Sequence, residues 1–387
     1  MADPIDEANG QAIIWVPIPK KSINDEMKKR VRIKDVALMA GVSTGTVDRV
    51  IHDRGNVAPE VRNKVLKVME ELGFERNLIA SALAMNQAFR IVVLLPEPSA
   101  DPYWKQPYEG MEAARKQVQH YGIQVEYHFF ELLSPEDFLE KAKAILFNPP
   151  DGILFPPIFV QEGKWLLKEC EAKGIAPIIF NTNISEATKL SYIGQDSYQS
   201  GVLAARLLSF GLNKNETVLI LNLSKGSTNA IHLVDKAQGF RHYFEQHTKK
   251  EIKILTLEFE HFNDEEKLSS FLRNLIMENP NLSSIFFTNS RAHLAIECLE
   301  ESVVNRIKIV GFDLVEQNLK MLQQDKINFL INQNPKQQGY LGIISLYQHF
   351  IVKTKIPALQ YLPLDIIVKE NVQYYQNQKN VPSDILT

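Results

Sequence analysis

Two carboxylates, Asp101 and Asp313, stand just past apolar runs at residues 91–95 and 307–312. Continuous apolar runs of that length read as strands buried on both faces. Such strands expose chemistry only at their ends, and open α/β sheets bind ligands at the carboxyl ends of their strands. Asp101 is followed by Tyr103 and Trp104. A carboxylate beside aromatic rings suits a ligand with a polar rim and apolar C–H faces. The same two carboxylates also have the chemistry for acid–base catalysis, so an enzyme is the main alternative reading. Asn289 closes the run 284–287 two residues on, and Asn181 and Asn183 follow the run 177–180. A second constellation lies near the amino end, where Ser43, Thr44, Gly45, Thr46 and Arg49 share a short segment. Arginine on an exposed helix can bond guanine or a phosphate.

These groups need elements to hold them. In the segment 33–51, Val36, Ala37 and Ala40 form one apolar face, and small Ala37 permits close approach of a second helix. Gly41 supplies a sharp turn, Ser43 is suited to cap the next helix, and Val47 and Val50 return the apolar face. Pro59 starts a third helix whose face carries Val61, Val65, Val68 and Leu72, and Gly73 stops it. This is a helix-turn-helix. From Arg90 onward, apolar runs alternate with amphipathic stretches, which is βαβ alternation and predicts parallel sheets. Nearly 300 residues of it exceed one comfortable core, so two lobes are expected.

Several function classes drop out. The sequence has no nucleophile elbow, no G-x-G-x-x-G after a strand and no clustered His/Cys metal spacing, so no cofactor or metal is expected. The loop 41–46 follows a helix and lacks a Gly-Lys-Ser/Thr ending, so it is not a phosphate cradle. No run of 18 apolar residues occurs, and the first residues are acidic where a secretory signal is basic; no membrane association and a cytoplasmic location are expected. The only cysteines, Cys170 and Cys298, read as buried thiols in a reducing compartment, with a disulfide as the alternative. The net charge of −3 conceals an asymmetry: residues 27–90 carry 12 Lys/Arg against 7 Asp/Glu. A basic module on an acidic body fits a nucleic-acid-binding head.

The segment 33–50 follows the pattern I-x-D-V-A-x-x-A-G-V-S-x-x-T-V-x-R-V and resembles the head of LacI/GalR-family transcriptional regulators. That resemblance implies that the second helix enters the major groove, with Thr44, Gly45 and Arg49 at base-reading positions. Gly45 has no side chain to read with. Asp48 stands where the family usually has Ser; it either accepts from a cytosine amine or pairs on the surface with Arg49 or Arg54. Asn77, Ala80 and Leu83 match the family's hinge helix, which implies that Leu83 wedges into the minor groove when two hinges fold together on DNA. Arg76 departs from the usual Pro and Ser81 from the usual Arg, and an ordinary linker helix is the alternative.

The body is similar to two-lobed periplasmic binding proteins of the ribose-binding type. By that likeness, Asp101, Tyr103, Trp104, Asn181, Asn183, Asn289, Asp313 and Gln333 surround a sugar. The family's sugar-clamping Arg falls near Val234, with His232 or Lys236 as candidates to replace it. The expected architecture is an all-α helix-turn-helix head plus an α/β sensor of two parallel-sheet lobes. The expected divisions are a disordered extension (1–26), head (27–76), hinge (77–89), sensor (90–375) and tail (376–387). Lobe 1 is expected over about 90–195 and 334–358, and lobe 2 over 196–333 and 359–375. The resemblance further implies a homodimer, an inverted-repeat operator in double-stranded DNA, and a mono- or oligosaccharide or derivative as effector.

Overall fold

A computed structural model describes residues 31–51, 55, 57–74, 88–225, 231–247 and 251–377. The chain divides into two compact units, residues 1–77 with 376–387, and residues 78–375. The expected extension 1–26 and the hinge residues Asn77, Ala80 and Leu83 lie outside the described residues.

The head has three helices, α1 (Ile33–Ala40), α2 (Thr44–Ile51) and α3 (Pro59–Glu71). Val36, Ala37, Ala40, Val47, Val50, Val65 and Val68 form its core. Gly41 sits at φ +64°, a left-handed conformation that a side chain would strain, and this turns α1 into α2. The Ser43 hydroxyl accepts from the Thr46 amide at 3.1 Å, capping α2 as its sequence predicts. Pro59 occupies the first turn of α3, and Gly73, at φ +58°, follows its end.

The larger unit contains two six-stranded sheets. The first comprises β1 (Phe89–Pro96), β2 (Ile123–Phe130), β3 (Gly152–Phe155), β4 (Ala176–Phe180), β5 (Ser191–Gly194) and β11 (Leu359–Tyr361), in the order β11-β5-β4-β3-β1-β2. The second comprises β6 (Thr217–Asn222), β7 (Lys253–Glu258), β8 (Leu282–Phe287), β9 (Lys308–Phe312), β10 (Phe329–Asn332) and β12 (Asp365–Ile367), in the order β12-β10-β9-β8-β6-β7. All pairings are parallel except β12 against β10, so the purely parallel expectation fails at one edge. The helices are α4 (Pro102–Val118), α5 (Pro135–Phe147), α6 (Val160–Lys173), α7 (Ser197–Ser209), α8 (Ile231–His247), α9 (Glu265–Glu278), α10 (Ala292–Glu297), α11 (Glu301–Val304), α12 (Glu316–Gln323), α13 (Pro335–Tyr347) and α14 (Val372–Asn377).

Each sheet is covered on both faces. Ile91, Val93 and Leu95 of β1 pack with Met111 of α4 and Ile343 of α13. Val92 and Leu94, pointing the other way, pack with Phe138 of α5 and Leu166 of α6. In the second sheet, Leu219 and Leu221 meet Leu268 of α9, while Val218 and Ile220 meet Leu208 of α7 and Phe240 of α8.

The chain passes between the sheets at 195–196, 333–334 and 362–364. The third passage was expected near 358. Leu359–Tyr361 instead hydrogen-bonds along β5, so these residues belong to the first lobe and the boundary moves to about 362. The last helix also runs to Asn377, two residues past the expected end of the sensor. Cys170 is buried, with its thiol pushed up to about 12 by burial, whereas Cys298 is only half-buried; both are free. Among the described residues, no helix is long and apolar enough to cross a membrane.

Two helix pairs meet backbone to backbone. A Cβ on Gly201 of α7 would lie 1.9 Å from the Lys236 carbonyl oxygen of α8, and one on Gly239 would lie 2.0 Å from that of Tyr198. The first lobe repeats the device: Gly110 of α4 faces the Lys336 oxygen at 1.8 Å, and Gly339 of α13 faces the Pro107 oxygen at 2.1 Å. Three of these helices begin just after a residue expected in the ligand site or a passage between lobes, and the fourth carries Lys236.

Candidate functional site

In the head, Ser43, Thr44, Gly45 and Arg49 are exposed and Thr46 is half-buried. Thr46 and Ser43 bond each other through their hydroxyls at 2.9 Å. The amino end of α2 therefore presents an uncovered face, with Val47 and Val50 holding its other side in the core. The nearest atom to a Cβ added at Gly45 is the Ser43 hydroxyl oxygen, 3.7 Å away, so that position has room for a side chain. We therefore expect Gly45→Ser to leave the head's stability within about 0.5 kcal/mol while altering operator preference in a DNA-selection assay. An unaltered preference would place Gly45 away from the bases.

In the larger unit, the sequence-predicted polar residues gather where the two sheets face each other. Asp101 caps α4, its Oδ1 accepting from the Tyr103 amide at 2.9 Å. Its Oδ2 accepts from the Arg291 guanidinium at 2.7 Å, an ion pair that joins the two lobes. The Tyr103 hydroxyl accepts from Asn181 Nδ2 at 2.6 Å, and burial pushes that phenol well above its usual range. Trp104 is buried edge-on against Tyr103 and Phe180. Asn181 and Asp313 both adopt left-handed backbone, at φ +65° and +67°, which Asn and Asp tolerate better than most residues. Thr182 reaches the opposite lobe, its hydroxyl 3.0 Å from His232 Nδ1. Asn183 Oδ1 is buried without a partner among the described residues.

Asp313 is 1% exposed. Its Oδ2 accepts from Gln333 Nε2 at 2.9 Å, and its Oδ1 has no partner among the described residues. Lys236 is equally buried; its ammonium donates to the Thr288 carbonyl at 2.9 Å and lies 3.5 Å from the Phe312 ring centroid. Burial pushes the Asp313 carboxyl up and the Lys236 ammonium down, and each charge holds the other toward its ionised form. Packing also drives the His232 imidazole down to about 3, with Lys236 adding to the effect, so this ring is neutral.

The structure corrects one expectation. Asn289 does not face the cleft with a free amide. It donates to the Leu223 carbonyl at 3.0 Å and accepts from the Arg291 amide at 3.2 Å, so it braces the loop that carries Arg291. Val234 is exposed at 38%, and of the two candidates to replace the clamping arginine, Lys236 is the buried cation, on the opposite side of α8 from Val234. Arg291 itself had no signal in the sequence. It is held over the Phe262 ring at 4.5 Å and by the Leu223 carbonyl at 2.9 Å. No group of three or more His, Cys, Asp or Glu able to hold a metal occurs among the described residues.

A three-helix head and two facing parallel sheets with polar groups at their carboxyl ends have counterparts among known proteins. Residues 91–353 match the periplasmic binding protein domain, and residues 32–77 match the bacterial regulatory proteins of the lacI family. The chain belongs to the LacI family. Members of this family are DNA-binding transcriptional regulators with a sugar-binding sensor domain, and they are not enzymes. Among its relatives is the HTH-type transcriptional regulator MalR of Streptococcus pneumoniae, 26% identical over 317 residues, covering 78% of this chain and 88% of that protein. The ribose operon repressor of Halalkalibacterium halodurans is 24% identical over 362 residues, 90% of this chain and 99% of that one. A solved structure described as a LacI transcriptional regulator from Bacteroides fragilis superposes with a TM-score of 0.69 at 27% identity, over 75% of this chain and all of the other.

In this LacI-family regulator the Asp101–Arg291 pair makes a testable contribution. Arg291→Gln keeps a hydrogen-bonding group but removes the charge. We expect it to weaken lobe closure by about 1.5–3 kcal/mol, the worth of a charge-assisted hydrogen bond, read as a larger radius of gyration by solution scattering. An unchanged radius would mean that other contacts hold the lobes.

Proposed function

We propose that this regulator works in the cytoplasm as a homodimer on an inverted-repeat operator. Its effector, a mono- or oligosaccharide or a derivative, binds between the sensor lobes. The observation that carries the reading is the gathering of Asp101, Asn181, Asn183, Asp313 and Gln333 at the facing carboxyl ends of both sheets. Buried acceptors there, Asp313 Oδ1 and Asn183 Oδ1, suit a ligand that donates from hydroxyls. Tyr103 and Trp104 line the first-lobe side beside Asp101, and Asn289 acts through Arg291.

On DNA, α2 enters the major groove with Ser43, Thr44, Gly45, Thr46 and Arg49 toward it, while Asn77, Ala80 and Leu83 form the hinge. The head and hinge are 27–76 and 77–89, and ligand-driven closure of the lobes alters how two protomers hold their hinges. Such coupling amounts to about 1–3 kcal/mol.

The test has two arms. D-ribose, D-arabinose, D-allose, D-tagatose, D-galactose, maltose and myo-inositol are screened by thermal shift on the full-length chain, and a sugar that raises Tm is titrated into protein bound to a selected operator. A shifted Tm with changed operator affinity is expected; a carbohydrate that binds without altering DNA affinity would argue against this reading. Arg49→Ala is expected to cost about 1–3 kcal/mol of operator binding, and no loss in a fluorescence-anisotropy titration would remove it from the interface.

A further inference from the structure

We propose that Gln195 is a positioning residue that holds the Gln333 amide in the orientation that donates to Asp313, tying that carboxylate to two of the passages between the lobes. Gln195 lies in the first passage, directly after β5, and Gln333 in the second, directly after β10. Both side chains are buried. Gln195 Nε2 donates to Gln333 Oε1 at 2.5 Å, and Gln333 Nε2 donates to Asp313 Oδ2 at 2.9 Å.

The direction of this chain is fixed by its end. An ionised carboxylate can only accept, so Gln333 must turn its NH2 group to Asp313. Its oxygen then faces Gln195, which must in turn offer its own NH2 group. The Gln195 oxygen is left over, and it is buried without a partner among the described residues. Neither amide can rotate by half a turn without setting oxygen against oxygen. Both backbones are anchored as well: the Tyr192 hydroxyl donates to the Gln195 carbonyl at 2.8 Å, and Gln338 Nε2 donates to that of Gln333 at 2.8 Å. The two open atoms of the relay, Asp313 Oδ1 and Gln195 Oε1, are therefore acceptors. A ligand that meets them must bring O–H or N–H groups; a ring oxygen or carbonyl in their place is rejected.

The inference rests on the assignment of Asp313 and Gln333 to the effector cleft, yet its test needs no sugar. Full-length variants are melted in the absence of ligand. Gln195→Glu sets an acceptor against the Gln333 oxygen and is expected to lower Tm by about 5 °C. Adding Asp313→Asn lets the relay run backward, from the new amide at 313 through Gln333 to the new carboxylate at 195. The double variant is expected to melt above Gln195→Glu alone. In a Gln333→Met background this recovery should shrink to the part that comes from relieving repulsion between positions 195 and 313, because the relay is gone there. Recovery undiminished by Gln333→Met, or additive losses in the original background, would overturn the proposal. Should Gln195→Glu fail to fold, Gln195→Met removes the donor without adding charge and is expected to lose about 3 °C; melting with the wild type overturns the relay. A failed sugar titration beside a successful cycle would count against the effector reading and leave the relay standing.

Discussion

Asp313→Ala is expected to weaken effector binding by about 30-fold or more, while the ligand-free protein holds its operator as before. Two costs combine. The ligand loses its acceptor, and the buried Gln333 amide loses the partner that it meets at 2.9 Å. A buried donor left unpaired costs about 1–3 kcal/mol. Lys236 also loses the charge that keeps its buried ammonium ionised. Alanine at φ +67° adds backbone strain of about 1 kcal/mol that aspartate tolerates better. Asp313→Asn therefore belongs beside it: it keeps the backbone preference and an acceptor but removes the charge, and its loss should be smaller. The measurement is a calorimetric titration of the sugar found by thermal shift, paired with operator anisotropy on apo-protein. Unchanged sugar affinity in both variants would take Asp313 out of the site.

The largest stability effect is expected at Gly201. Gly201→Ala places a methyl group 1.9 Å from the Lys236 carbonyl oxygen, deep inside the van der Waals limit and against backbone that has no rotamer to yield. Overpacking of this kind costs about 3 kcal/mol or more. The sensor transition should fall by about 6–12 °C, followed by circular dichroism. Effector binding should weaken with it, because α7 begins at one lobe passage and α8 carries Lys236. Gly45→Ala is the control: it stands on a helix in open space and should stabilise the head by about 1 kcal/mol. A Gly201→Ala protein that melts within 2 °C of the wild type would show that the two helices can separate at little cost.

Much of this could be read locally. The turn at Gly41, the cap at Ser43 and the alternation of Ile91, Val92 and Val93 between two cores each depend on neighbours a few residues apart. Strand ends mark candidate ligand groups for the same reason, which is why Asp101 and Asp313 were visible. What escaped depends on long-range placement. Arg291 meets Asp101 across 190 positions of sequence, and nothing in the run around Arg291 distinguishes it from a surface arginine. Asn289 was legible as an amide at a strand end, but not as one occupied by Leu223 and Arg291. Gln195 and Gln333 lie 138 residues apart, so their pairing had no local signature. The edge strand Leu359–Tyr361 is too short and too exposed to signal burial, and only its bonds to β5 reveal which lobe it joins.

That edge strand has a consequence for how the protein is made. The first sheet receives five of its strands by residue 194, but its sixth, β11, leaves the ribosome only after the whole second sheet except β12 has been synthesised. Until then β5 is a bare strand edge, and the face formed by Ile91, Val93 and Leu95 waits for α13, at residues 335–347. Unpaired edges and uncovered apolar faces are where nascent chains associate with one another. The first lobe is thus begun early in translation and finished almost last. A premature stop at any codon between 195 and 334 would release a chain with a nearly complete sheet and one face covered by α4 alone, a product bound for chaperones or aggregates.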